Sequence, residues 1–76
     1  MYIEKINCLA IDIEEIKKAI KTNRKEINKR RKILSMTDDE KLETDILMYL
    51  DEIENLKKLL QTKKQLLKNY KKLWNN

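Results

Sequence analysis

Apolar residues recur every three or four positions along two long stretches of the chain, and a short polar segment separates the stretches. The first stretch has its repeating positions at Tyr2, Ile6, Leu9, Ile13, Ile16, Ile20, Asn23, Ile27, Arg30 and Leu34. The second has them at Leu42, Ile46, Tyr49, Ile53, Leu56, Leu60, Lys63, Leu67, Tyr70 and Trp74. An alternation of three and four, kept over about five heptads, is typical of coiled-coil helices. We therefore predict two long helices, at about residues 3–34 and 38–74. The repeating positions of the two stretches are called the seam positions.

The segment between the two stretches carries the signals of a turn followed by a new helix. Thr37 and Glu40 have the spacing of a capping box, in which the hydroxyl and the carboxylate satisfy unpaired N–H groups at a helix start. Asp38 and Asp39 place negative charge in the first turn, where it complements the helix dipole. We predict a turn at about residues 35–38, with Thr37 as the N-cap of the second helix.

The distribution of charge indicates how the two helices pair. Residues 1–16 carry a net charge of −3 and residues 17–32 one of +8, whereas residues 38–54 carry −7 and residues 55–76 carry +7. An antiparallel hairpin lays these blocks beside blocks of opposite sign and pairs residues whose numbers sum to about 76. The predicted fold of residues 1–76 is therefore all-α, a single two-helix antiparallel coiled-coil hairpin that dimerises into a four-helix bundle. Three polar seam residues, Asn23, Arg30 and Lys63, are expected to fix the register.

One side of the seam and its open end are richer in apolar residues than a single facing helix can cover. We call this set the apolar flank; it comprises Ala19, Ile33, Leu59, Leu66, Tyr70, Leu73 and Trp74. A hairpin with such a flank normally buries it against another helix pair. The sequence thus predicts a protein partner, which is a second copy of this chain, a foreign protein, or both.

The other side of the seam is basic. We call this set the basic flank; it comprises Lys17, Arg24, Arg31, Lys57, Lys64 and Lys71. The interpretation we favour is a solvated face that keeps the rod soluble. The alternative is an electrostatic surface for nucleic acid or an acidic protein, although the few aromatic residues do not form a stacking platform for single strands.

The sequence contains few residues of the kinds that act in catalysis. The chain has no His, Gly or Pro, a single Cys8, and no nucleophile placed beside a base. We therefore predict a protein that is not an enzyme and uses no cofactor, metal or small-molecule substrate. The longest apolar run, residues 46–50, is too short to cross a bilayer, so no membrane partner is predicted. A lone cysteine suits a reducing compartment, and the expected location is the cytoplasm.

Two known hairpin types are similar to this chain in architecture. It resembles in outline the small aspartyl-phosphate phosphatases that regulate sporulation, although of their Ser-Gln-x-Leu-Asp signature only Leu50 and Asp51 are present. It also resembles the plasmid copy-number protein ROP, a helical hairpin that dimerises into a four-helix bundle and binds RNA.

The function that we predict is a protein–protein interaction module acting as a small regulator, adaptor or inhibitor. The abundance of Lys, Ile and Asn is typical of AT-rich coding sequence, which would suit a phage or mobile element. A ROP-like hairpin dimer that binds RNA or DNA through the basic flank is the first alternative. A structural coiled-coil piece of a larger assembly is the second.

Overall fold

The computed structural model describes residues 2–75, which form a rod of 58 × 14 × 13 Å. Helix α1 spans Tyr2–Leu34 and helix α2 spans Glu40–Asn75, and the two helices pack against each other. The helices run antiparallel, since Lys63 Nζ lies 3.4 Å from Asp12 Oδ2 and the rings of Tyr2 and Tyr70 are 6.0 Å apart. The absence of Gly and Pro from the chain explains why neither helix is broken. The predicted all-α hairpin is confirmed.

The buried residues coincide with the predicted seam positions. Those buried in the hairpin are Leu9, Ile13, Ile16, Ile20, Asn23, Ile27, Ile46 and Ile53. Ile27, the most deeply buried of them, is 3% exposed, and no described side chain falls below 2%. Leu34, Tyr49, Leu56 and Leu60 pack against this cluster but remain only partly buried. The core is therefore a single thin stripe, and most of it comes from α1.

The seam opens at the end of the rod that is remote from the turn. Tyr2 and Trp74 have numbers that sum to 76 and were therefore predicted to pair across the seam. They line a common groove with Ile3 and Lys5 and stay about half exposed. The ring of Tyr2 lies instead near that of Tyr70, and the ammonium group of Lys5 lies 5.5 Å from the Tyr70 ring centroid. The open end of the rod is consequently an aromatic cluster that is in contact with water.

The turn differs from the prediction in one respect. Thr37 completes the end of α1, because its hydroxyl and its amide N–H both donate to the carbonyl oxygen of Ile33, at 3.2 and 3.1 Å. The cap of α2 is Asp39, whose Oδ1 accepts a hydrogen bond from Lys41 N at 3.0 Å. The predicted capping box at Thr37 is wrong, since α2 begins two residues later than that box requires. Among residues 2–75 none has a positive φ, so the reversal is made without a left-handed residue.

Candidate interaction surfaces

The first feature that shapes the surface of the hairpin is the cation in its seam, Arg30. Its Nη1 donates to Glu26 Oε2 at 2.6 Å, and its Nε lies 3.9 Å from Asp45 Oδ2 on the facing helix. Its guanidinium stacks over the Tyr49 ring, 4.7 Å from the centroid. Arg30 is thus neutralised on one helix and held by aromatic and acidic groups on the other.

These contacts alter the protonation of both partners. The hydrogen bond from Arg30, followed by the charge of Lys29, lowers the pKa of Glu26 below its ordinary value. The hydrogen bond to Glu26 likewise raises the pKa of Arg30. Two buried hydrogen-bond donors in this part of the seam, Arg30 Nε and Asn23 Nδ2, have no acceptor within residues 2–75. The seam is polar and incompletely satisfied at this point.

The second seam cation, Lys63, also forms an ion pair with an acidic residue. Its Nζ lies 3.4 Å from Asp12 Oδ2, a contact that joins α2 to α1. Asp12, Glu26 and Asp45 all lie on the side of the seam that carries the apolar flank, at heptad spacing from Ala19 and Leu59. These three acids were not among the predicted site residues, although the spacing of four residues between Glu26 and Arg30 is typical of an ion pair on one helix. The two seam cations, Arg30 and Lys63, are therefore compensated within the chain.

The apolar flank is divided along the rod rather than continuous. Ala19 and Leu59 line one groove, whereas Ile33 lies near the turn, beyond the cluster of Glu26 and Arg30. Tyr70 is half-buried at the open end. The exposed fractions of the other members are 50% for Ile33, 44% for Leu59, 40% for Leu66, 52% for Leu73 and 56% for Trp74. The strongest apolar surface is thus the succession of leucines on the second half of α2.

The basic flank lies on the opposite side, and its six residues are all exposed. Lys17 forms an ion pair with Glu14, in which Nζ lies 3.6 Å from Oε1. Within residues 2–75, the other five cations of the basic flank have no Asp or Glu oxygen within 4.0 Å of their charged nitrogens. Ile3 and Leu50, which sequence reasoning did not assign to this side, occupy heptad positions of the same flank and are exposed. The two sides therefore differ in electrostatics: the seam cations beside the apolar flank are paired with acids, whereas five of the six cations of the basic flank are not paired within residues 2–75.

The remaining surface holds few groups suited to chemistry. Residues 2–75 contain no group of three or more His, Cys, Asp or Glu side chains that could hold a metal ion. Cys8 is a free thiol exposed on α1. Neither of the two described helices has an apolar stretch long enough to traverse a bilayer.

Comparison with known proteins returns no relative: no family model, no curated protein and no solved structure matches this chain significantly.

The ion pair in the seam yields a prediction about pH. Replacing Glu26→Gln should lower the melting temperature at neutral pH by a few degrees at most, because Arg30 loses its charged acceptor in a partly solvated setting. The folded-state pKa of Glu26 is lowered. Its contribution is therefore present above the unfolded-state pKa and disappears as the pH falls through the folded-state value. Thermal unfolding monitored by circular dichroism should show the two curves converging in acid.

Glu15→Gln is the matched control, since Glu15 is exposed and forms no ion pair within residues 2–75. Its melting temperature should follow that of the wild type at all pH values. Equal melting temperatures for Glu26→Gln and the wild type at neutral pH would show that Arg30 needs no acceptor there.

Proposed function

We propose that this chain is a non-enzymatic helical hairpin that acts in the cytoplasm by docking its apolar flank onto a protein. The observation that carries the proposal is the row of exposed leucines, Leu59, Leu66 and Leu73, repeated once per heptad on one helix. A solvated coiled-coil flank usually carries charge at such positions. Side chains of this kind at regular spacing are the anchors with which one helix recognises another helical surface.

The surface area of the hairpin supports the same proposal. Its accessible surface is 6247 Å², whereas a compact protein of 9.3 kDa exposes about 5,000 Å². The excess is larger than the roughly 800 Å² that each partner buries in a protein interface of standard size. A single thin seam leaves this area in water, and docking onto a partner would remove part of it.

The proposed role is that of a small regulator, adaptor or inhibitor. Such proteins work by occupying a surface, and they need neither a catalytic group nor a cavity. A phage or mobile-element origin would fit the composition. A structural piece of a larger assembly would use the same flank, and the identity of the bound protein distinguishes the two roles.

Site-specific photo-crosslinking tests which face is used. Benzoylphenylalanine placed at position 66 should form covalent adducts with the docked protein, either a second copy or a foreign chain, because Leu66 is at the centre of the exposed row. The same group at position 11 is the matched control, since Ile11 is exposed on the outward face of α1. Adducts at position 66 and few at position 11, resolved by mass spectrometry, are the expected result.

Equal labelling from both positions, or none from either in the purified protein and in cell extract, would overturn docking through the apolar flank. A non-photoreactive phenylalanine at position 66 shows whether the substitution itself alters helicity.

A second candidate function rests on the uncompensated cations of the basic flank. Five of its six residues lack an acidic partner in the hairpin, which leaves them available to phosphates in a ROP-like dimer. Solubility remains the role that we favour for this flank, because the chain offers no aromatic residues or groove-reading motif alongside the cations.

We therefore expect weak association with RNA or DNA that falls steeply with salt and is lost near about 150 mM. Lys57→Glu with Lys64→Glu should abolish even this association, whereas Lys25→Glu with Lys32→Glu, which changes net charge equally away from the flank, should reduce it less. Fluorescence anisotropy at several salt concentrations measures both. Tight binding to a defined nucleic acid at about 150 mM salt would place the ROP-like function first.

A further inference from the structure

The second half of α2 carries a second heptad pattern, distinct from the seam that faces α1. We call it the outer strip; its members are Asn55, Leu59, Thr62, Leu66, Asn69 and Leu73. Their spacing alternates between four and three residues, which places them along one edge of the helix. All six are exposed in the hairpin. The strip therefore has the geometry of a coiled-coil seam that no part of residues 2–75 covers.

The outer strip is free of charge although the helix around it is strongly basic. Seven lysines lie between residues 55 and 76, and none of them occupies the strip. The two lysines that border its middle, Lys58 and Lys63, lie 3.9 Å from Glu54 and 3.4 Å from Asp12, respectively. This local compensation would reduce the repulsion between two basic helices along the middle of the strip. Lys72, which borders its far end, has no acidic partner within residues 2–75, and its repulsion would be weakened by salt.

The polar members of the strip point to an identical partner. Leucine occupies one set of positions, whereas Asn55, Thr62 and Asn69 occupy the other. In a parallel, in-register pair each residue faces its own counterpart, so leucine packs on leucine and amide meets amide. An antiparallel pair joins one set to the other and buries each leucine against a polar residue. The Nδ2 of Asn69 donates no hydrogen bond within residues 2–75, so it is available to such a partner.

We infer that the outer strip binds the outer strip of a second copy, with the two α2 helices parallel and a twofold axis along the rod. This inference rests on the proposed function and names the partner that the apolar flank takes. Asp45 and Glu52 occupy the equivalent positions nearer the turn, where identical acids would repel each other, so the contact begins at Asn55. It extends over about 27 Å, at 1.5 Å per residue. The two α1 helices lie outside the pair.

Disulfide trapping distinguishes the orientations. In a Cys8→Ser background, Leu59→Cys and Asn69→Cys chains are purified separately, one of them isotope-labelled so that the two differ clearly in mass. These positions come one from each set, and an antiparallel pair of strips would bring Leu59 opposite Asn69. They are then mixed in equal amounts in a glutathione buffer at equilibrium. A parallel pair brings each cysteine to its own counterpart, within the span that a disulfide requires. Mass spectrometry should find the two homodisulfides well above the half share that random pairing would give. Lys64→Cys, on the basic flank, is the control and should form dimers poorly.

A predominance of the mixed disulfide would overturn the parallel arrangement. Random pairing, with no more dimer formed than by Lys64→Cys, would overturn the interface. The first result would still place a second copy on the apolar flank, in the opposite orientation. The second result leaves docking onto a foreign protein open to the photo-crosslinking test, where adducts from position 66 would then contain only that protein. The failure of this inference is therefore separable from the failure of the proposed function.

Discussion

Two helices in contact can cover only one stripe on each other, and this geometric constraint governs the rest of the molecule. The buried residues all lie on that stripe, and even Ile27, the most deeply buried of them, keeps 3% of its surface exposed. Helix α2 buries fewer residues than α1, since two of its residues are buried and six of those of α1 are. Apolar side chains outside the stripe therefore remain in water unless another molecule covers them. The exposed leucines of α2 follow from this limit.

Electrostatics gives the two sides of the rod different characters. On one side the seam cations Arg30 and Lys63 are held by Glu26, Asp45 and Asp12, so that side is close to neutral where its leucines begin. On the other side most cations have no acidic neighbour in the hairpin. A neutral side with apolar anchors suits contact with protein, whereas an uncompensated side stays hydrated or attracts polyanions. We propose that the first side carries the function.

The heptad spacing predicted the two helices and each of the residues that are buried within residues 2–75, because a coiled-coil seam depends on spacing more than on distant contacts. The blocks of opposite charge added the antiparallel pairing. The cap was harder to predict, since Thr37 and Asp39 are both good N-cap residues. The hydroxyl of Thr37 instead bonds backward to α1. The half-exposed Tyr2 and Trp74 show that spacing does not reveal where a seam frays.

The apolar and basic flanks could be listed from the sequence, but their subdivision could not. The break between Ile33 and Leu59 depends on which acids lie close enough to Arg30 to pair with it, and that is a matter of distance between side chains. The outer strip was partly visible as repeated leucines. Its uncharged companions Asn55, Thr62 and Asn69 became informative only once the facing side of α2 was known.

The central claim is that a lone hairpin is incompletely buried and gains stability when a second copy covers its exposed leucines. The most direct measurement is the melting temperature of the purified chain, followed by circular dichroism across a hundredfold range of concentration. Dimerisation predicts a rise of roughly five to ten degrees over that range, because association stabilises the folded chain by mass action. A melting temperature that does not change with concentration would contradict the account.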